Sequence, residues 1–255
     1  MILVTQLGLG GNIMLKNKEN KIIYFFYALV LISFLYSLIT LIIKGNTNAG
    51  FYWDAHDRNA FIACILGVIV INIPIAFEKI FKIRLPYILW GLYFVFLICS
   101  VFFGEVLDFY YKVPFWDVFL HFMSSIMVVI VGLIILILFT REKLNFKALP
   151  AGLTALFIFC FAVMVGSMWE IYEFSVDGLF GLNMQKFMLE DGTVLSGHAA
   201  LCDTMKDIIV DTTGALLATL VVYISLKKKS SWIMKMVSKY QTKIDFVEDV
   251  KEEKA

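Results

Sequence analysis

Six stretches of the chain carry apolar residues almost without interruption, over residues 22–43, 60–77, 85–103, 118–139, 149–169 and 208–226. Each approaches the roughly 20 residues that a helix needs to cross the hydrocarbon core of a bilayer. A strand of a membrane barrel would alternate apolar and polar positions over about ten residues, and segments such as 128–139 show no alternation. The pattern therefore predicts an all-α, polytopic membrane protein with six transmembrane helices. Span boundaries carry matching punctuation: Lys44-Gly45-Asn46 follows the first, while Leu85-Pro86 and Leu149-Pro150 open the third and fifth. Asn72 and Pro74 fall inside the second span and predict a kink there.

The polar positions between the spans predict an orientation. The N-terminal segment, the loops after spans two and four, and the C-terminal tail together hold 17 of the 22 Lys and Arg residues. Cytoplasmic loops retain such residues, so both termini are expected in the cytoplasm. The expected organisation is a cytoplasmic segment 1–21, a six-helix transmembrane domain 22–226 and a lysine-rich cytoplasmic tail 227–255. The first span is too long for a signal-peptide core and runs straight into Lys44, so it is expected to be retained, with Met14 a candidate second start. From residue 230 the tail alternates lysines with Trp232, Ile233, Met236 and Val237, which predicts a short helix on the anionic inner leaflet. Aromatic runs at 51–53, 109–111 and 115–116 suit interfacial belts at the outer surface.

Composition narrows the function classes. With 60% hydrophobic residues, 17% charged and a net charge of +1, the chain is neither a disordered segment nor a charge-driven nucleic-acid binder, and its expected surroundings are the lipid bilayer. The four cysteines contain no Cys-x-x-Cys, which argues against a thiolate zinc site or a disulfide framework.

The acidic residues distribute opposite to the basic ones, 13 of 21 on the outer side or in the outer ends of spans. Asp117 opens the fourth span with His121 one turn on; Glu170 and Glu173 close the fifth; Asp203, Asp207 and Asp211 enter the sixth. Spacings of three and four put each set on one helix face. With the termini inside, all three stripes lie at one level of the membrane, and Asp211 is expected about 12 Å below Asp203 at 1.5 Å per residue. A charged side chain at mid-membrane costs roughly 2.5–3.5 kcal/mol, so such groups face the bundle interior and find partners. Lys206 and His121 are the cationic partners that the sequence offers near six or more carboxylates, so either some of these are protonated or a bound cation supplies the missing charge.

Carboxylates plus one imidazole suit Mg²⁺, Mn²⁺, Fe²⁺ or Zn²⁺, and helical bundles build metal sites from facing helices in this way. The candidate ligands are Asp117, His121, Glu170, Glu173, Asp203, Asp207 and Asp211, with His121 or Glu173 as the acid/base group. Alternatively, Asp117 and Asp203 are helix N-caps, and Glu170 and Glu173 are wetted at the interface. Gly166-Ser167 and Gly214-Ala215 are expected to bring spans five and six close together. Residues 177–202 read as a solvated loop, with a lid over the site as the alternative.

Three motifs in order, Asp117-x-x-x-His121-Phe122, Trp169-Glu170-x-x-Glu173 and Asp203-Thr204-x-x-Asp207-x-x-x-Asp211-x-x-Gly214-Ala215, resemble the YjdF-like family of bacterial multi-pass membrane proteins and, more distantly, the VanZ-like family. The resemblance covers residues 116–218. It implies a bacterial plasma-membrane protein with a role near the outer envelope; Asp211 and Glu173 make this chain more acidic than the VanZ-like pattern. Three functions follow as expectations. The first is a metal-dependent membrane hydrolase or transferase acting on a lipid-linked or polyprenyl-linked phosphate. The second is a cation or proton transporter using the same acidic groups. The third is a non-catalytic envelope-stress or glycopeptide-resistance protein.

Overall fold

A computed structural model describes residues 18–47, 50, 51, 55–83, 85–140, 146, 149–189 and 191–242. Met14 and most of the N-terminal segment, Tyr52 and Trp53 of the aromatic runs, the basic loop residues Arg84, Arg141, Lys143 and Lys147, loop residue Glu190, and the tail from 243 lie outside the described residues. Six helices among them are long and apolar enough to cross a membrane: Ile23–Gly45, Ala60–Ile80, Tyr87–Val106, Trp116–Thr140, Ala151–Phe180 and His198–Lys227. The chain divides into two units, Met1–Val113 and Pro114–Ala255.

In the first unit, helix α1 (Lys18–Gly45) leads through a two-residue antiparallel pairing, β1 (Asn46–Thr47) with β2 (Gly50–Phe51), into α2 (Ala55–Val70). The second span is then interrupted and resumes as α3 (Ile73–Ile80), with Pro74 in its first turn. The interruption has a specific chemistry. Pro74 has no N–H for the carbonyl of Val70 four residues back. The hydroxyl of Tyr93 donates to that carbonyl instead, at 2.5 Å. The Asn72 amide donates to the Val68 carbonyl at 3.0 Å, and the Tyr27 hydroxyl donates to Asn72 Oδ1 at 2.9 Å. The carbonyls of Val68 and Val70 at the break thus find side-chain donors, as a bilayer interior favours. Helix α4 (Tyr87–Leu97) continues as a π-helix over Ile98–Val106, and the short α5 (Phe109–Lys112) ends the unit. Buried Glu78 closes the connection into α4, its Oε1 accepting from the Leu85 backbone N–H at 2.8 Å and the Trp90 indole at 3.1 Å.

The second unit is a bundle of α6 (Trp116–Phe139), α7 (Ala151–Phe180) and α8 (His198–Lys227), each packed against the other two. The last two helices have 30 residues each, about 45 Å at 1.5 Å per residue. Helix α7 overruns its apolar stretch at the C-terminal end and α8 at the N-terminal end. Asp203 accordingly sits in the second turn of α8, and Glu170, Glu173 and Asp177 all lie within α7. A tail helix, α9 (Ser231–Thr242), packs on α6 and α8. The helix was expected; its Ile233, Val237 and Tyr240 are fully enclosed, while Trp232 and Lys235 stay exposed.

Candidate functional site

The acidic stripes of α6, α7 and α8 meet in the interior of the second unit. His121 stands at the centre, gripped from α8 on both ring nitrogens. Its Nε2 lies 3.8 Å from Asp207 Oδ2 and 3.7 Å from Asp117 Oδ1, and its Nδ1 lies 3.3 Å from Asp211 Oδ2. The helical period explains the grip. Asp117 and His121 are one turn apart on α6, as are Asp207 and Asp211 on α8, so two facing i, i+4 pairs interleave. An Nδ1 proton donated to Asp211 leaves Nε2 bare and turned toward Asp117 and Asp207. Oxygens of those two aspartates and a nitrogen of His121 all lie within 4.8 Å of one another, close enough for one ion to draw them together.

Small residues permit this approach. A Cβ on Gly166 of α7 would stand 2.6 Å from Asp211 Oδ2, so α7 passes against the aspartate with no room for a methyl group. Gly214 does not bring spans five and six together as expected. It faces α6, where a Cβ would fall 2.2 Å from Ser125 Oγ and 3.1 Å from the Phe122 ring. Gly166 thus serves the α7–α8 contact and Gly214 the α6–α8 contact.

Glu170 is 4% exposed, and neither of its carboxylate oxygens has a hydrogen-bond partner among the described residues. It lies within electrostatic range of His121, Asp211, Asp203 and Asp117. Asp203 Oδ2 and Asp211 Oδ1 are likewise buried and unpartnered. Buried carboxylate oxygens without partners are costly, and protonation, water or a cation is the usual remedy. Glu173 is satisfied differently: the Trp169 indole donates to its Oε1 at 2.8 Å.

Neither Asp117 nor Asp203 is an N-cap. The cap positions of α6 and α8 are Phe115 and Gly197, and neither makes a side-chain capping bond. The cation nearest the cluster also differs from expectation. Lys206 is exposed, whereas Lys186, from the segment joining α7 to α8, donates to Asp117 and, at 3.3 Å, to Asp203 Oδ1. Burial alone would lower the Lys186 pKa, but Asp117, Asp203 and, farther off, Asp207 outweigh it and hold the ammonium above the ordinary lysine value.

The segment that carries Lys186 is built. Asp177 at the end of α7 accepts from the backbone N–H groups of Met184 at 2.8 Å and Gln185 at 3.0 Å. The Asn183 side chain closes a second ring with the backbone of Met188, and the Gln185 amide donates to Thr204 Oγ1 of α8 at 2.8 Å. Lys186 itself takes a left-handed backbone conformation, φ 46°, uncommon for a residue with a Cβ. Its place in the site follows from this folding of the connection; the sequence signal for it is an isolated lysine between Asp177 and Asp203.

Burial grades inward. The side chains of Lys186, Asp117 and Asp203 are 27%, 22% and 19% exposed, while those of His121, Asp211 and Asp207 are 8%, 7% and 4% exposed. The clasp of Lys186 therefore forms the mouth, and the histidine with its α8 partners forms the floor.

Comparison with curated proteins finds a protein of Thermotoga maritima named only "Uncharacterized protein", 32% identical over 121 residues, covering 47% of this chain and 54% of that one. The chain thus spans about half the length of that relative. No solved structure matches. Residues 22–228, which take in all six spans and every residue of the cluster, match the family described as "Predicted membrane protein (DUF2238)", and the chain belongs to that family.

Proposed function

We propose that this protein holds a divalent cation between Asp117, His121 and Asp207, and uses it on the phosphate of a lipid-linked intermediate at the outer face of the bacterial plasma membrane. The supporting observation is Glu170, whose two buried oxygens lack partners beside a cluster already rich in carboxylates. Hard oxygen donors with a single imidazole favour Mg²⁺, Mn²⁺, Fe²⁺ or Zn²⁺. Asp211 sets the direction of the His121 ring, and Glu170 lies within electrostatic range of His121, Asp117 and Asp203, where it adds negative charge around the ion.

Such an ion, when bound, draws a phosphate oxygen to it and offsets the charge that develops there during hydrolysis or transfer. An acidic site recognises phosphate through its cation, so the scarcity of arginine and lysine around the cluster is compatible with this substrate class. Glu173, held by the Trp169 indole, is the acid/base candidate beside the ion. The distribution of Lys and Arg supports cytoplasmic termini and an outward-facing mouth. The order of the Asp/His, Glu and Asp motifs supports kinship with YjdF-like proteins and, at greater distance, VanZ-like proteins.

The test is metal analysis of the purified full chain in detergent after equilibration with Mn²⁺ and removal of free ion. One equivalent is expected for the wild type, falling to the level of the detergent blank in His121→Ala and Asp207→Asn. A wild type that retains no more than the blank contradicts the proposal. Cation-dependent phosphate release from a polyprenyl phosphate in mixed micelles, lost in Asp207→Asn, is the matching test of the chemistry.

A further inference from the structure

Lys186 presents an ammonium to one of the carboxylates proposed above as a metal ligand. It reaches Asp117 through Oδ2, while His121 Nε2 lies 3.7 Å from Oδ1 of the same carboxylate. It stands at the mouth, and the groups beneath it are more deeply buried. The segment that carries it is fixed by Asp177, Asn183 and the Gln185 bond to Thr204, so the position is constructed and not the chance resting place of a long side chain.

We infer that Lys186 is a tethered cation with which a divalent ion competes for Asp117, and that this competition sets the cation selectivity of the site. The inference rests on the proposed metal site and adds a residue and a selectivity to it. Two positive groups on one carboxylate repel each other strongly at low effective dielectric, so an ion that settles on Asp117 weakens the hold on Lys186. A divalent ion gains enough from Asp117, Asp207 and His121 together to offset that loss. A monovalent ion carries no more charge than the ammonium already in place and gains little by displacing it. Asp203 retains the released lysine at the mouth, so the exchange needs only a small movement within a fixed loop.

Two measurements on the full chain in detergent test this. In calorimetric titration with Mn²⁺ alone, Lys186→Met is expected to bind about tenfold more tightly than wild type, because the competing charge is gone. Lys186→Arg, which keeps the charge, is expected to stay near wild type. Added Na⁺ is expected to weaken Mn²⁺ binding in Lys186→Met and to leave the wild type little changed. The second measurement needs no variant: acylation of Lys186 by an amine-reactive reagent, followed by mass spectrometry, is expected to rise severalfold when Mn²⁺ saturates the wild type. Mn²⁺ binding of equal strength in wild type and Lys186→Met, or Lys186 labelling unchanged by the ion, overturns the competition and leaves the metal site standing. Absence of Mn²⁺ binding in wild type and Lys186→Met alike overturns both. Binding confined to Lys186→Met leaves the wild type without an ion and overturns the proposed site together with the exchange.

Discussion

His121 Nδ1 lies 3.3 Å from Asp211 Oδ2 across two helices, and this contact turns the other ring nitrogen, Nε2, toward Asp117 and Asp207. Asp211 is therefore a positioning residue for His121 in the proposed centre. Asp211→Asn is expected to weaken cation binding by about 10–100-fold, the usual cost of losing a carboxylate that orients a ligating histidine. Asp211→Glu, which keeps the charge and displaces it by one methylene, is expected to recover part of the loss. Titration of each variant with Mn²⁺ checks the order.

Gly166 and Asp211 touch so closely that Gly166→Ala must move one of them. Overpacking of this kind costs about 1–3 kcal/mol, read as a lower melting temperature in detergent. Because the neighbour is Asp211 itself, the same variant is expected to lose cation affinity. An equal loss of stability with unchanged affinity would show that the helix and not the aspartate gives way.

Gly214→Ala sets a methyl group 2.2 Å from Ser125 Oγ and is expected to destabilise the α6–α8 contact by a similar amount. Ser125→Ala in the same chain removes the closest atom and is expected to restore part of the stability. Full restoration is not expected, since the Phe122 ring at 3.1 Å remains.

Glu170→Gln separates a cost to the empty protein from a benefit to the filled one. A buried carboxylate without partners is expensive, and the amide carries no charge. The variant is expected to melt higher than wild type in chelator, and to gain less than wild type when Mn²⁺ is added. A lower melting temperature in chelator would identify Glu170 as a structural partner of the bundle.

Asp177→Ala removes the acceptor of two backbone N–H groups, each worth roughly 1.5–3 kcal/mol when the acceptor is charged. The loss is expected to be local. Amide exchange at Met184 and Gln185 should accelerate strongly while the centres of α6 and α8 keep their protection.

The parts of this arrangement that depend on helical period were legible in the sequence. Asp117 with His121, and Asp207 with Asp211, share faces because they are one turn apart, and six apolar stretches correspond to six helices. What depends on tertiary closure was not legible. Residues 198–202 read as part of the loop because hydropathy averages all faces, yet they form the first turn of α8, ahead of Asp203 and Asp207. Lys186 is remote from the cluster along the chain, and only the turn clipped by Asp177 and Asn183 delivers its ammonium to Asp117. The helical period of the tail was readable, but not that α9 would find α6 and α8 to cover Ile233 and Val237.

The most direct measurement is anomalous scattering from crystals of the full chain grown with Mn²⁺. The account predicts a single strong peak within bonding distance of His121 Nε2 and of oxygens of Asp117 and Asp207. A structure at saturating Mn²⁺ with no peak there, and with Lys186 still seated on Asp117, would contradict it.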